Sequence, residues 1–452
     1  MKKYRLVSLL VTLVLLAGVL SPAAHAAQAP EITAGAALLM DAVNDEVLYE
    51  KNAYDRMYPA SLTKVMTALL VLEAVDEGRL SLDQVVTAST TFTAGLTANG
   101  STQDIRPGEQ MSLLDLLYCL LVASANEASN ILAETVDGSV SAFVERMNQR
   151  AQALGCQGTH FSNPHGLHAD DHYTTAHDIY LIARAAMEND TFRTIVSSRS
   201  HEVPATNMHK ARLFYSTNAL LVTWYYRESY IYDKAIGIKT GTTDEGGYCL
   251  LSAARDGEDY LISVVLNAPI LEKEGGGSDR RQFTESRELF KWGFSNFERR
   301  QIVDTATPLA QVEVTLSKTD HVLVRPAAQL ERTLPRSVKQ EDIKQEIHLD
   351  ADTVQAPVTA GQPLGKLTLT YEGQTLGEVD LVAVSAAERS ELLYRLDQIR
   401  SFFQHAWVKL IAVVLILILA VLILRRMVLR PRSRYGSRRY SGRRNYTGRR
   451  RR

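Results

Sequence analysis

The alternation of apolar and polar positions predicts a mixed α/β unit over residues 32–300. Runs at 36–40 and 46–50 flank a polar turn and predict a β-hairpin. Residues 61–74 carry apolar side chains at helical spacing, and residues 113–123 and 127–135 also favour helices. Three later runs predict strands, at 235–239, 248–254 and 261–267. Strands at both ends with helices between them indicate one sheet with a helical cluster on it.

The pattern changes after residue 300. Four short alternating segments separated by Pro and Gly predict a small, mostly β domain over residues 302–384. Residues 386–405 predict a charged juxtamembrane helix with one apolar side. Residues 406–424 then form a nearly unbroken apolar run, about 28 Å long as a helix, which predicts a transmembrane segment.

The two termini place the predicted domains relative to the membrane. Residues 1–26 have a cationic start, an apolar run and a small-x-small site at Ala24-His25-Ala26, as in a secretory signal peptide. An uncleaved anchor helix is the alternative, and it too would export the segment that follows. Residues 425–452 are rich in arginine, which predicts a cytoplasmic tail and a single-pass protein whose body is extracytoplasmic.

The two ends of the chain are basic, whereas the segment between them is acidic. The net charge of -1 is a cancellation, because the last 28 residues hold thirteen arginines and the first 27 hold three basic residues, with no acid in either. The rest of the chain therefore carries -17, which disfavours nucleic acid as a partner. Contact with anionic lipid explains the tail better than RNA binding does.

Cysteines and histidines carry weaker signals. The three cysteines show no metal-binding spacing, and we expect free thiols, although one disulfide is possible. Five histidines cluster within eighteen residues, so a metal-binding site is an alternative interpretation of this segment. Their spacing fits no helical ligand pair, so we interpret the segment as a loop bordering a cleft. They are His160, His165, His168, His172 and His177.

Three short motifs occur in order along the first unit. They are Ser61-Leu62-Thr63-Lys64, Ser124-Ala125-Asn126 and Lys239-Thr240-Gly241. Each motif alone is weak, and Ser216-Thr217-Asn218 is a second Ser-x-Asn in the same chain.

Ser61 opens a predicted helix, where a serine is usually only an N-cap. Lys64 lies one turn later on the same face, so its amine can reach Ser61. A lysine acts as a base only when neutral, which requires burial or a nearby cation such as Lys239. Gly241 would let a substrate backbone lie close to the strand edge.

Together these motifs resemble those of the low-molecular-mass penicillin-binding proteins, the serine D-alanyl-D-alanine carboxypeptidases. The surrounding segments are similar too, so the resemblance covers nearly all of residues 32–300, and more weakly the β domain. The matching segments are residues 59–64, 161–167, 237–241, 246–248 and 292–294. The resemblance implies a penicillin-binding/β-lactamase-like α/β fold, with a sheet flanked by helices, followed by a small β-rich domain and a C-terminal transmembrane helix.

The resemblance also implies a mechanism on peptidoglycan stem peptides, without metal or other cofactor. Ser61 would attack the carbonyl between two terminal D-alanines, Lys64 would take its proton and Ser124 would relay a proton to the leaving amine. Asn126 would hold the acyl-side amide, while Lys239 and Thr240 would bind the terminal carboxylate. The backbone N–H groups of Ser61 and Thr242 would form the oxyanion hole. β-Lactams should acylate Ser61 as mimics of this substrate.

Two other functions remain open at this point. A β-lactamase could use the same motifs, although we find no Glu-x-x-Leu-Asn-type loop to position a deacylating water. A receptor or scaffold that binds muropeptides or β-lactams without turnover is the second alternative, although the tail has no folded output domain.

Overall fold

A computed structural model describes residues 28–97, 100–226, 229–273 and 276–428. The predicted signal peptide and nearly all of the predicted basic tail lie outside the described residues. The described chain forms two compact units. The first comprises the residues up to Val303, with Gln329–Lys344 and Thr370–Leu376. The second comprises Asp304–Ala328, Gln345–Leu369 and the residues from Gly377 onwards.

The first unit is built on a five-stranded antiparallel sheet of order β2-β1-β9-β8-β7. Its strands are β1 (Ala36–Asp41), β2 (Glu46–Lys51), β7 (Ala235–Thr243), β8 (Gly247–Asp256) and β9 (Asp259–Ala268). The predicted hairpin and the three predicted later strands are therefore confirmed, although each strand is longer than predicted. Strand β7 lies at one edge of the sheet, so one side of its backbone faces away from β8.

Both faces of this sheet are covered. Along β9, Ile262 and Val264 pack into the core that the helical cluster shares, while Leu261 and Val265 pack on the opposite face, whose core includes the helix at 281–296. Successive side chains of a strand point to opposite faces, so a strand covered on both sides has an almost continuous apolar sequence.

The helices of the first unit follow the order of the chain. They are α1 (Lys64–Asp76), α2 (Leu113–Leu121), α3 (Asn126–Asp137), α4 (Val140–Ala153), α5 (Ala176–Met187), α6 (Asp190–Ser197) and α7 (Arg281–Asn296). Short strand pairs join them, β3 (Val85–Thr87) with β4 (Gln110–Ser112), β5 (Ser200–Val203) with β6 (Arg212–Tyr215), and β10 (Ile270–Glu272) with β11 (Ser278–Arg280).

Helix α1 is more deeply buried than its sequence pattern predicts. Ten of its thirteen residues are buried, because the other helices of the cluster surround it. The chain enters α1 through a 3-10 turn, Ala60–Thr63, which holds the predicted nucleophile. Helix α2 ends at Leu121 and α3 begins at Asn126, so the second motif occupies the break between them.

The first unit also holds β12 (Phe297–Val303), which pairs with β15 (Leu330–Pro335). The second unit centres on a six-stranded sheet of order β16-β18-β19-β14-β13-β17. Its strands are β13 (Ala310–Thr315), β14 (His321–Pro326), β16 (Lys344–Leu349), β17 (Thr353–Gln355), β18 (Pro363–Tyr371) and β19 (Gln374–Ala383). Helices α8 (Glu391–Gln404) and α9 (Ala406–Val428) follow. Helix α9 has 23 residues and contains an 18-residue stretch with a mean hydropathy of 3.1, so it is long and apolar enough to cross a membrane.

Candidate active site

The 3-10 turn that carries Ser61 is held from two sides. Ala60 has a φ of 47°, an uncommon conformation for a residue with a side chain. The Thr63 hydroxyl donates to the Ala60 carbonyl at 2.9 Å and lies 2.8 Å from His172 Nε2. His172 Nδ1 accepts from the Ser162 N–H at 3.0 Å, so the proton of this ring sits on Nε2 and is donated to Thr63. These linked hydrogen bonds hold the backbone of the turn that contains Ser61.

Gly166 lies directly against the same turn. A Cβ added at Gly166 would be 1.9 Å from the Ala60 carbonyl oxygen, and the φ of this glycine is 87°. The loop that the sequence predicts to border the cleft therefore touches the backbone of Ala60, the residue that precedes the predicted nucleophile.

Lys64 is fully buried behind Ser61. Its Nζ lies 2.9 Å from Ser61 Oγ, and it donates to Asn126 Oδ1 at 2.7 Å and to the His165 carbonyl at 2.7 Å. Burial lowers the pKa of Lys64 well below its usual value, and the nearby charge of Lys239 lowers it further. The carboxylate of Glu127 acts in the opposite direction. The net effect is a pKa well below that of an ordinary lysine.

Lys239 forms a second buried group with the second motif. Its Nζ donates to Ser124 Oγ at 2.9 Å and to the Thr240 carbonyl at 2.9 Å. Burial lowers the pKa of Lys239 to about 7. Ser124 has a φ of 62°, which lies in the left-handed region, so the chain turns at this serine between α2 and α3.

The edge strand β7 places the third motif beside Ser61. A Cβ added at Gly241 would lie 3.2 Å from the Ser61 backbone nitrogen and 3.1 Å from the Ala60 Cβ. Glycine therefore allows β7 to approach the 3-10 turn this closely. Thr242 is exposed, and its hydroxyl donates to the Gly241 carbonyl at 2.8 Å. The described contacts therefore bring the other seven predicted residues close to one another, while the Thr242 side chain reaches this group only through its bond to the Gly241 carbonyl.

Three contributors to the site were not predicted. Thr217 Oγ1 lies 2.6 Å from Thr240 Oγ1, so a second hydroxyl stands beside the third motif. The only sequence signal for it was the extra Ser-x-Asn match at residues 216–218. The His165 carbonyl and the buried Glu127 also act on Lys64, through a backbone bond and a charge that no motif encodes.

The clustered histidines have separate contacts. Burial lowers the pKa of His165 to about 3 and that of His172 to about 4, so both are neutral near pH 7. His177 packs against Tyr54, and His160 Nδ1 lies 2.6 Å from the Asp171 carbonyl. Across the described ranges, no group of three or more His, Cys, Asp or Glu side chains could hold a metal ion. The three cysteines are free thiols.

Two family models match this chain. Residues 23–270 match the D-alanyl-D-alanine carboxypeptidase family, and residues 297–389 match the C-terminal domain of penicillin-binding protein 5. The chain is 30% identical over 351 residues to the D-alanyl-D-alanine carboxypeptidase DacF of Bacillus subtilis, covering 77% of this chain and 85% of that protein. It is 29% identical to DacC of Escherichia coli, covering 86% and 93% respectively.

Solved structures agree with these matches. Penicillin-binding protein 5 of Haemophilus influenzae superimposes with a TM-score of 0.63 at 28% identity, covering 80% of this chain and 99% of that one. The K15 DD-transpeptidase of Streptomyces aligns with a TM-score of 0.53 at 29% identity, covering 59% of this chain and 99% of its own. The predicted penicillin-binding fold with a following β-rich domain is confirmed. The chain belongs to the D-alanyl-D-alanine carboxypeptidase family and is a serine-type hydrolase.

Proposed function

We propose that this enzyme removes the terminal D-Ala from peptidoglycan pentapeptides through an acyl-enzyme on Ser61. The observation that carries the proposal is the set of partners around Lys64 Nζ. A neutral amine has two N–H donors and one lone pair, and two of its three neighbours, Asn126 Oδ1 and the His165 carbonyl, can only accept. The lone pair is left to face the third neighbour, the Ser61 hydroxyl, at 2.9 Å.

Lys64 therefore suits the role of general base in acylation. It would take the Ser61 proton as Oγ attacks the carbonyl carbon between the two D-alanines. Burial supports this role, since a lysine with its ordinary pKa would be protonated and unable to accept a proton. Water would then attack the acyl-enzyme and release the shortened peptide.

The second lysine suits the terminal carboxylate of the substrate. Lys239 and Thr240 would bind it, with the Thr217 hydroxyl beside them. Ser124, which accepts from Lys239, would relay a proton to the departing D-Ala amine. A cation and two hydroxyls in one place match a carboxylate better than they match a neutral amide.

Two further contacts would hold the acyl side. Because Asn126 Oδ1 is taken by Lys64, the amide nitrogen of Asn126 remains for the substrate's acyl-side carbonyl. The backbone N–H groups of Ser61 and Thr242 would form the oxyanion hole. The close approach of Gly241 to the Ser61 nitrogen supports that pairing.

The cellular placement follows from the termini. We propose that residues 1–26 are a signal peptide and that α9 anchors the chain as a single span, with residues 425–452 in the cytoplasm. The catalytic domain, residues 32–300, the β-rich domain, residues 302–384, and the helix at 386–405 would then face the wall. Stem peptides are the substrates in this proposal, and β-lactams are covalent inhibitors.

The test uses the full chain with a pentapeptide ending in D-Ala-D-Ala, and labelled penicillin as an active-site probe. We expect release of one D-Ala, and stable labelling that Ser61→Ala abolishes. Labelling that survives in Ser61→Ala would remove Ser61 as the nucleophile. Stable labelling without release of D-Ala would favour a receptor, and rapid hydrolysis of the penicillin would favour a β-lactamase.

A further inference from the structure

An open cavity of about 530 Å³ lies in the first unit, and no residue of the proposed catalytic site lines it. That volume is within the range of small-ligand pockets. The indole of Trp224 is the largest exposed surface in the lining, because 67% of this residue is open to solvent. The lining includes Arg199, Ser200, Tyr215, Thr223, Trp224 and Asp233.

The indole of Trp224 forms a flat platform that is held in place. It stacks on the Tyr215 ring at 4.5 Å between centroids and 13° between planes, so Tyr215 covers one face and leaves the other open. The Tyr225 hydroxyl donates to the Tyr215 carbonyl at 3.3 Å. Further along, the Tyr232 N–H donates to the Leu220 carbonyl at 3.0 Å, so the segment is held on both sides of Trp224. A ring positioned in advance lowers the entropy cost of binding a ligand against it.

The polar groups of the lining are of opposite kinds. Arg199 can only donate hydrogen bonds, the carboxylate of Asp233 can only accept them, and both side chains are exposed. The hydroxyls of Ser200 and Thr223 can do either. A purely apolar ligand would leave these groups without partners, and a simple ion would be attracted by one charge and repelled by the other. The lining therefore fits a ligand that carries several hydroxyls beside an apolar face.

A sugar in the pyranose form has both properties. One face of its ring presents a row of C–H groups, which are attracted to the electron-rich face of an aromatic ring. The hydroxyls around its rim each donate and accept, so they can bind a guanidinium and a carboxylate at the same time.

We infer that this cavity binds a sugar of a peptidoglycan glycan strand, with the C–H face of the sugar on Trp224. Arg199 and Asp233 would bind its hydroxyls and its acetamido group. The inference rests on the proposed function, which brings the enzyme to the wall and a stem peptide to Ser61. It adds a saccharide site that takes no part in the acyl transfer.

The position of the cavity decides which strand supplies the sugar. Tyr215 is two residues from Thr217, at most about 7 Å along the chain, and Thr217 contacts Thr240. The cavity therefore lies beside the proposed carboxylate site, whereas the bound stem would extend towards Asn126 and Thr242. The sugar that carries this stem is at the far end of the peptide, so a sugar in the cavity belongs to a neighbouring strand.

A saccharide site of this kind would hold the enzyme on the wall. When two sites on one protein bind the same material, the first contact raises the effective concentration for the second. A pentapeptide attached to intact wall should therefore gain from the cavity, whereas the same pentapeptide free in solution should not.

Binding is measured first, on the detergent-solubilised full chain with Ser61→Ala, so that it does not depend on catalysis. The probes are peptide-free glycan strands and chitotetraose, a soluble oligomer of N-acetylglucosamine, titrated by calorimetry. We expect both to bind, and Trp224→Ala to weaken binding about tenfold, the scale of one aromatic contact. Trp224→Phe should recover most of the loss. Tyr54→Ala is the matched control, because Tyr54 is 62% exposed and outside this cavity.

Release of D-Ala is then measured with the active chain on two substrates, a soluble pentapeptide and isolated cell wall that carries the same pentapeptide. Trp224→Ala should lower release from the wall about three- to tenfold and leave hydrolysis of the soluble peptide unchanged. Added chitotetraose should slow release from the wall by the wild-type chain, and it should have no effect on Trp224→Ala.

The outcomes separate the two proposals. If neither saccharide binds to a chain that hydrolyses the soluble pentapeptide, the inference is wrong and the proposed function stands. Equal saccharide binding by the wild-type, Trp224→Ala and Arg199→Ala chains would overturn the assignment of this cavity. Binding of a sugar-free stem peptide that depends on Trp224, without binding of either saccharide, would make the cavity a peptide site instead. No hydrolysis of the soluble pentapeptide, in chain that melts cooperatively, would overturn the proposed function and with it the assignment of the sugar to a neighbouring strand.

Discussion

Gly166→Ala should slow acylation by displacing the backbone near Ser61, although it removes no side chain of the proposed site. The added Cβ would lie 1.9 Å from the Ala60 carbonyl oxygen and 2.5 Å from the Ala60 carbonyl carbon. Real Cβ atoms essentially never come within 3.0 Å of such atoms, so the turn or the loop must move by about 1 Å or more. Ser61 follows Ala60 directly, and the His165 carbonyl that holds Lys64 precedes Gly166. Either movement therefore disturbs the 2.9 Å separation between Ser61 Oγ and Lys64 Nζ.

A displacement of about 1 Å in a reacting group costs on the order of 100-fold in rate. We therefore expect the rate of acylation by labelled penicillin to fall about 100-fold in Gly166→Ala. Gly155→Ala is the matched control, because Gly155 has nearly the same φ, 89°, and an added Cβ there would have no neighbour closer than 4.0 Å. Both variants place alanine at positive φ and should lose about 1 kcal/mol of unfolding free energy for that reason.

The assay is the pseudo-first-order rate of labelling, measured beside a thermal melt of each variant. A folded Gly166→Ala that acylates within threefold of Gly155→Ala would refute the reasoning, because the clash would then be relieved without moving Ser61 or Lys64.

Three other predictions follow from the contacts of the site. Lys239→Ala should raise KM for the pentapeptide about 10- to 100-fold through loss of a charged partner; it should also raise the pKa of Lys64, moving the acid limb of the acylation profile to higher pH. A profile that stays in place would contradict this coupling. Thr217→Val should raise KM about fivefold with little change in kcat, measured by steady-state kinetics on the same peptide; an equal fall in kcat would instead point to a role in the chemical step. Because burial lowers the pKa of His172 from 6.5 to about 4, the unfolded chain binds its proton first, and stability should decline as pH falls through that window by roughly 3 kcal/mol. Thermal melts at pH 7 and pH 4.5 should show a smaller decline in His172→Gln, and an identical decline would assign the acid sensitivity to other groups.

Much of this architecture is determined by local sequence. The short apolar runs of β1 and β9 and the polar turns beside them are enough to predict the hairpin and the later strands, because both signals are carried by neighbouring positions in the sequence. The spacing of Ser61 and Lys64 is local in the same sense, since three residues make one helical turn. The predicted helices at 113–123 and 127–135 also appear, with ends shifted by one or two residues.

The complete burial of Lys64 is not local. It arises because α1 is surrounded by other helices, and because Asn126 and the His165 carbonyl come from distant segments. The lowered pKa of Lys64 depends on that enclosure and on the charge of Lys239, which lies 175 residues away in the chain. Long-range packing of this kind leaves no periodic signal in the sequence.

The sequence by itself therefore determined the elements, the order of the motifs and the residue types that acyl transfer requires. Tertiary structure alone decided which serine has a buried lysine with a lowered pKa behind it, and which hydroxyl joins Thr240 at the proposed carboxylate site. Thr217 shows the difference, because its motif match was indistinguishable from chance until the fold placed its oxygen 2.6 Å from Thr240. The physical reason is that pKa values and substrate contacts depend on distances through space, whereas sequence patterns record only distances along the chain.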